Sequence, residues 1–194
     1  MRMVLNNKIF FWAVLAVPGM FLLLRLANGS ADFMEATAHS GEWAARWMIL
    51  AMMIGPFIAV AGLQPWLRWM LERRRALGVA AFIYALFHLY FYMTDMGAWD
   101  AIWDEVLLPG IWTGWAALFI MLPIALSSNN LSMRRLKAGW KKLQRLVYPA
   151  AVLTLLHWLW VHSSPVEAWI HFTPLMLLYA ARIFNFKIPY KAGA

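Results

Sequence analysis

The stretch RRRALGVAAFIYALFHLYFY, residues 73–92, places three arginines before an apolar run that contains a single imidazole, His88. About 20 residues of helix cross the hydrocarbon core of a bilayer, and this run is long and apolar enough to do so. An ionisable side chain inside such a helix is costly and is a candidate functional group. The stretch therefore predicts a membrane-spanning helix with a site at His88.

The composition of the whole chain also indicates a membrane protein. Of its 194 residues, 63% are hydrophobic and 13% are charged, whereas soluble domains usually carry about 25% charged residues. The net charge of +8 does not indicate nucleic-acid binding, because the basic residues lie in short connections between apolar runs. The chain has no cysteine, which excludes disulfides, cysteine-ligated iron–sulfur clusters and a covalent haem attachment.

Six apolar segments predict an all-α integral membrane protein, a six-transmembrane-helix bundle in a single domain spanning residues 1–194. The segments are about 8–27, 43–63, 77–95, 108–127, 143–162 and 167–185. The first resembles a signal peptide, but its length favours an anchor. All 17 Lys and Arg residues except Arg25 and Arg46 fall at one set of helix ends, and all nine acids except Glu72 fall at the other. The positive-inside rule therefore predicts cytoplasmic N and C termini.

A second histidine, His157, lies inside the fifth segment, which should run parallel to the third. His88 follows Arg75 by 13 residues and His157 follows Arg145 by 12, so both imidazoles should lie roughly 18–20 Å from the cytoplasmic edge. Two imidazoles at one depth can face each other across a flat group, as bis-histidine haem ligation requires. The alternatives are hydrogen bonds from each ring to a neighbouring carbonyl, or zinc, which needs three or four ligands.

The remaining polar features of the apolar segments have simpler interpretations. His39, His162 and His171 are expected near the outer surface as interfacial or packing residues. The Gly110/Gly114 pair is expected to be a close-packing helix face.

Two segments carry a family resemblance. Residues 73–92, together with WKKLQRLVYPAAVLTLLHWLW at 140–160, resemble the MsrQ (YedZ) family of the ferric-reductase-like transmembrane superfamily, over about residues 40–185. The resemblance implies b-type haem with His88 and His157 as axial ligands of the iron. It also implies a bacterial inner-membrane subunit that takes electrons from quinol or a flavin reductase. The implied acceptor is a periplasmic molybdenum enzyme that reduces methionine sulfoxide in proteins.

One position departs from the family pattern. Where the family has histidine at the end of Trp-x-x-Leu-His, this chain has Gln144, in WKKLQRL. Glutamine is a poor ligand for haem iron, so we expect one haem b and no secure second haem. Arg74 and Arg75 are expected to bind haem propionates or line the inner site, where a quinone or FMN would replace the inner haem. No dinucleotide-binding fingerprint occurs, so a flavin reductase is expected to be a separate protein.

Two other functions remain open. One is a ferric-reductase-like haem protein with another acceptor. The other is a haem-free scaffold or transporter, although transporters more often carry acids inside their helices. Outside the membrane, Asp100, Asp104 and Glu105 lie near Trp99 and Trp103. This group is either a docking surface for a periplasmic partner or the solvated rim of an interfacial aromatic belt.

Overall fold

The computed structural model describes residues 8–161 and 164–188, and every regular element in these two ranges is an α-helix. His162 and both chain ends, including Arg2 and Lys191, lie outside the described residues. The helices are α1 (Lys8–Ala27), α2 (Phe33–Ala61), α3 (Pro65–Met96), α4 (Trp99–Glu105), α5 (Pro109–Leu126), α6 (Asn130–Leu136), α7 (Ala138–Gln144), α8 (Val147–Val161) and α9 (Pro165–Ile183). In the described ranges, α1, α2, α3 and α5 are long and apolar enough to cross a membrane. The chain is a multi-pass membrane protein.

Two of the spanning helices begin earlier than the sequence pattern predicted. Helix α2 begins at Phe33 rather than near residue 43, because the Asp32 carboxylate accepts a hydrogen bond from the Glu35 amide (2.7 Å) and caps the new start. Helix α3 begins at Pro65 rather than near residue 77, and proline is well suited to the first position of a helix. Hydropathy marks the part of a helix that suits lipid, so it missed both of these polar extensions.

The fifth predicted segment is interrupted rather than continuous. Helix α7 ends at Gln144 and α8 begins at Val147. Pro149 explains the break, because a proline ring clashes with the carbonyl four residues earlier, here that of Arg145, yet is tolerated in a first turn. Helix α8 has 15 residues and so spans only about 22 Å. Neither α8 nor α9 is among the four helices that are long and apolar enough to cross a membrane. The six-span topology therefore stays a prediction.

The core is built on two closely packed helix pairs, α2 with α3 and α5 with α8, and α9 packs against α2. Buried residues from five helices form one cluster, which includes Met52 of α2, Ala81 of α3, Met121 of α5, Trp158 of α8 and Phe172 of α9. The many small and flexible side chains let the helix backbones approach closely, as in other membrane bundles. This arrangement brings α3 and α8 together although they belong to different pairs.

Helix α1 is peripheral and is held by a buried tyrosine from α3. The Tyr84 hydroxyl accepts a hydrogen bond from the Gly19 amide (2.6 Å) and donates one to the Leu15 carbonyl (2.9 Å). Near the C-terminal end of the same helix, Arg25 forms a 2.5 Å ion pair with Glu35. These polar contacts fix α1 against α3 and α2, where its apolar packing is limited.

Candidate functional site

His88 on α3 and His157 on α8 face each other inside the bundle. Their ring centroids lie 5.7 Å apart and their planes meet at 83°. Sequence spacing predicted that the two side chains would lie at one depth, and the structure brings them into contact.

Each imidazole is held by a backbone carbonyl of the helix with which its own helix pairs. His88 Nδ1 lies 2.8 Å from the Thr37 carbonyl oxygen on α2, and His157 Nδ1 lies 2.7 Å from the Gly110 carbonyl oxygen on α5. A carbonyl oxygen only accepts, so each Nδ1 carries the proton and each Nε2 of the neutral ring carries the lone pair. The carbonyl bonds that the sequence offered as an alternative to metal ligation are therefore compatible with it, because an outer hydrogen bond commonly orients a ligating histidine.

A cavity of about 660 Å³ adjoins both rings and is lined by α2, α3, α5 and α8. Its volume lies within the range of roughly 300–1,000 Å³ typical of small-molecule sites. The space comes from small side chains on the facing helices: Ala38, Gly41, Ala44, Ala45, Ala85, Gly114 and Ala117. Glu42 and Asp95 also belong to the lining. The interior is therefore apolar apart from the histidines and a few polar groups.

The geometry fits a metal held between the two rings. Metal–imidazole nitrogen bonds are about 2 Å long, so one metal between two imidazoles places their centroids roughly 6 Å apart. The observed 5.7 Å is close to this value. Among residues 8–161 and 164–188, no group of three or more histidine and carboxylate side chains is arranged so that it could hold a metal ion. A haem, which needs only two axial ligands, therefore fits better than zinc.

Two Ser/Thr-Gly dipeptides that the sequence analysis did not single out as functional lie against the histidines. The Ser40 hydroxyl is 3.0 Å from the Thr37 carbonyl oxygen, and the Thr113 hydroxyl is 2.9 Å from that of Gly110. Gly110 and Gly114 do pack closely on α8, as predicted, but Gly114 meets the His157 ring itself. The sequence does contain a pattern that could have pointed to these residues. A hydroxyl-bearing residue followed by glycine occurs on each helix that pairs with a histidine-bearing helix, as Ser40-Gly41 and as Thr113-Gly114.

Gln144 lies away from the histidine pair and makes a structural contact. Its side-chain Nε2 donates to the Ile124 carbonyl (3.1 Å) and lies 3.2 Å from the Ser127 hydroxyl. Trp140 Nε1 donates to the Ser127 carbonyl (3.0 Å). Together these side chains tie α7 to the final turn of α5, where helix carbonyls lack partners within the helix.

Arg74 and Arg75 line a second cavity, of about 840 Å³, whose lining includes neither His88 nor His157. Arg75 Nη1 donates to the Asn130 side-chain oxygen (2.7 Å). The basic side chains of this second cavity are Lys8, Arg73, Arg74, Arg75, Lys141 and Arg145. The two predicted arginines and the two predicted histidines thus belong to different sites.

Of the other histidines, His39 and His171 lie in the described residues and take part in contacts near the acidic ends of the helices. His39 lies 3.4 Å from the Glu35 carboxylate. His171 Nε2 accepts a hydrogen bond from Arg46 Nε (3.1 Å), and its ring stacks on Trp158 with centroids 5.0 Å apart. Neither ring lines the cavity between His88 and His157.

Comparison with known proteins shows which family and which named proteins this chain is similar to. The family described as the ferric reductase like transmembrane component matches residues 40–155, a range that includes His88 and ends before His157. The protein-methionine-sulfoxide reductase heme-binding subunit MsrQ of Xanthomonas euvesicatoria is 36% identical over 144 residues, or 73% of this chain and 64% of the relative. The protein of the same name from Brucella anthropi is 37% identical over 163 residues, or 80% and 72%. No solved structure matches the chain.

A protein of the same name from Xanthomonas oryzae has the same identity and coverage as the one from Xanthomonas euvesicatoria. The chain therefore spans less than two thirds of the length of either Xanthomonas relative. The matched family range contains both Ser/Thr-Gly dipeptides as well as Gln144.

Proposed function

Because this chain belongs to the MsrQ family of ferric reductase-like transmembrane proteins, we propose that it is a haem b electron-transfer subunit of the bacterial inner membrane. Its relatives are named heme-binding subunits of a protein-methionine-sulfoxide reductase. The observation that carries the proposal is the facing pair His88 and His157, whose Nδ1 atoms both bond backbone carbonyls. That arrangement leaves the lone pair of each ring on Nε2, the nitrogen suited to iron.

In this proposal the two histidines hold the haem iron through Nε2. When bound, the haem supplies one-electron transfer by cycling between the ferric and ferrous states. The carbonyl bonds fix the tautomer and the ring orientation and make each imidazole a more basic ligand. The small apolar residues of the cavity provide room and restrict access of water.

We further propose one haem per chain, because the Gln144 amide is already used to hold the end of α5. The electron donor, quinol or a separate flavin reductase, would act at the basic end of the bundle. The second cavity is the candidate site there for a quinone or FMN. Its basic residues, including Arg74, suit a phosphate or a reduced, anionic ring, and its volume of about 840 Å³ leaves room for such a molecule.

The acceptor side would lie at the opposite, acidic end of the helices. We propose that both termini are cytoplasmic, that six segments cross the membrane and that α4 faces the periplasm. A periplasmic molybdenum-containing reductase of protein methionine sulfoxide is the proposed acceptor. Asp100 and Asp104 on α4, beside the exposed rings of Trp99 and Trp103, are the candidate docking surface.

The direct test is the visible spectrum of the full chain purified in detergent, combined with a pyridine haemochrome assay. We expect the dithionite-reduced spectrum of a low-spin b-type haem at about one haem per chain, since two imidazoles complete the axial coordination of a single iron. A protein reconstituted with haem that shows only a high-spin spectrum would contradict bis-histidine ligation. A folded protein that binds no haem would leave the haem-free scaffold as the better function.

A further inference from the structure

The two histidine sites are built from the same local arrangement on different helices. His88 Nδ1 bonds the Thr37 carbonyl, and Gly41 lies four residues further along α2. His157 Nδ1 bonds the Gly110 carbonyl, and Gly114 lies four residues further along α5. In an α-helix the carbonyl of one residue already accepts from the amide four residues later, so each imidazole adds a second donor to a carbonyl that the helix uses.

A side chain at either glycine would collide with the imidazole. A Cβ atom built on Gly41 would lie 2.8 Å from His88 Nδ1 and 3.0 Å from its Cε1. A Cβ built on Gly114 would lie 2.8 Å from His157 Nδ1 and 2.9 Å from its Cε1. In both cases the nearest ring atom is Nδ1, the nitrogen that donates to the backbone carbonyl.

We propose that Gly41 and Gly114 are positioning residues for the two histidines, each acting on one ring only. Without a Cβ, the helix backbone admits the imidazole close enough to donate its Nδ1 proton to the carbonyl four residues earlier. That bond sets the tautomer and the plane of the ring, and the two bonds together hold the ring planes near perpendicular, at 83°. The part of this inference that concerns iron rests on the proposed haem function.

The hydroxyls beside the glycines have a second, opposing effect. Ser40 and Thr113 are fully buried. The Ser40 hydroxyl lies 2.6 Å from the Ala36 carbonyl oxygen and 3.0 Å from that of Thr37, and the Thr113 hydroxyl lies 2.8 Å from the Pro109 carbonyl oxygen and 2.9 Å from that of Gly110. An oxygen shared by several donors binds each of them less strongly. Each hydroxyl shares one proton between two carbonyls, so it competes with the Nδ1 bond only in part, and least at Ser40, where the Ala36 oxygen is clearly nearer.

Helix preference alone predicts the opposite outcome for substitution of these glycines. Glycine is less favourable than alanine in a helix interior, so a glycine with open space around it should tolerate alanine. Gly55 on α2 and Gly78 on α3 have no atom within 4 Å of a built Cβ. They are matched controls on the same two helices that carry Gly41 and His88.

The first experiment compares haem binding by the variants Gly41→Ala, Gly114→Ala, Gly55→Ala and Gly78→Ala of the full chain. Haem is titrated into each purified apo-protein, and the ferric EPR spectrum and the midpoint potential are then recorded. We expect roughly 10- to 100-fold weaker haem affinity for the first two variants, the range for losing the outer hydrogen bond of a metal-bound histidine. Their potential should rise, because a weaker Nδ1 bond makes the imidazole a poorer stabiliser of ferric iron.

The hydroxyl variants test the direction of the effect. Thr113→Val should lower the midpoint potential, because the Gly110 carbonyl then binds the His157 Nδ1 proton more strongly. Ser40→Ala should lower it less, because the Ser40 hydroxyl lies nearer the Ala36 carbonyl than that of Thr37. Wild type should give the highly anisotropic low-spin EPR signal of near-perpendicular imidazole planes, and the Gly55 and Gly78 variants should keep it. Wild-type affinity, EPR spectrum and potential in both Gly41→Ala and Gly114→Ala would overturn the proposal.

A second measurement does not depend on haem. The apo-protein is labelled with ¹⁵N-histidine, and the signals of His88 and His157 are assigned from their loss in His88→Ala and His157→Ala. We expect both rings as the Nδ1-protonated tautomer, with Gly41→Ala changing the His88 signal alone and Gly114→Ala the His157 signal alone. Nε2-protonated rings in wild type would overturn the proposal, whereas Nδ1-protonated rings in a chain that binds no haem would refute only the proposed function.

Discussion

The ring centroids of His88 and His157 lie 5.7 Å apart, although the two side chains come from different helix pairs and each is fixed by a different carbonyl. Removing either ring should therefore abolish bis-histidine ligation, while the partner ring keeps its own hydrogen bond. We expect His88→Ala and His157→Ala each to lose the low-spin reduced spectrum. His39→Ala and His171→Ala are the matched controls and should keep it, since neither ring lines the cavity.

The same measurement can refute the assignment. A wild-type reduced spectrum in either His88→Ala or His157→Ala would show that another side chain ligates the iron. Loss of the spectrum in all four variants would point instead to a general loss of folding, which far-ultraviolet circular dichroism would reveal.

The topology makes a prediction that is independent of haem. Reporter fusions after Arg75, Lys142 and Ala194 should be cytoplasmic, because basic residues near helix ends are retained on that side. Fusions after Asp32 and Asp104 should be periplasmic. An active periplasmic reporter after Ala194 would contradict the six-span arrangement, and with it the placement of the histidine pair towards the periplasm.

The fold class, the family and the depth of the two histidines could be predicted from the sequence, but the backbone partners of the histidines could not. The all-helical membrane class and the family resemblance are confirmed, because composition and short motifs carry both. Residue spacing placed His88 and His157 at one depth, since the rise per residue of a helix is fixed. The carbonyl partners Thr37 and Gly110 could not be predicted in this way, because they depend on how neighbouring helices rotate and approach.

The helix boundaries show a second limit of the sequence. Hydropathy identified the lipid-facing part of α2 and α3 but not their polar extensions to Phe33 and Pro65. The break between α7 and α8 has a local cause, Pro149, but an apolar window runs through it. The break matters for function, because Gln144 and His157 lie on separate helices and their relative direction cannot be derived from a single helical period.

Helix α1 should depend on the Tyr84 hydroxyl. Tyr84→Phe would leave the Gly19 amide and the Leu15 carbonyl without this buried partner, at a cost of about 1–3 kcal/mol. We expect a lower thermal unfolding midpoint in detergent and faster proteolysis between α1 and α2. Tyr90→Phe is the control, because the Tyr90 side chain is 60% exposed; equal effects from the two substitutions would remove the specific role of Tyr84.

The acidic outer end should influence electron delivery if it docks a partner. The triple charge reversal of Asp100, Asp104 and Glu105 to lysine should slow reduction of a soluble periplasmic acceptor at low salt. The effect should fade as salt rises, because charges are screened beyond about 10 Å at 0.1 M. Reversal of Glu167 is the control, since this exposed acid lies at the start of α9, at a different outer connection. A rate unchanged at low salt would leave these acids as a solvated rim.

The residue at position 144 decides how many haems we expect the chain to bind, and the contacts of Gln144 give a further reason to expect one. The Gln144 amide donates to the Ile124 carbonyl and so occupies the position from which an inner ligand would have to reach the second cavity. His39 and His171 lie near the acidic helix ends and cannot reach that cavity. We therefore expect about one haem per chain in the wild type by pyridine haemochrome, since each bis-histidine haem needs two imidazoles.

Gln144→His tests whether the inner pocket itself survives, and Gln144→Ala separates that question from stability. Both substitutions remove the amide contact to α5, whose loss should cost about 1 kcal/mol, so both should lower the unfolding midpoint to a similar extent. Only the histidine variant offers a new ligand, and it alone should gain haem, towards two per chain. The added haem should be high-spin, because position 144 supplies one imidazole and the lining of the second cavity contains no other histidine. Two haems in the wild type would show that another group ligates the inner iron, and the single-haem proposal would then be wrong.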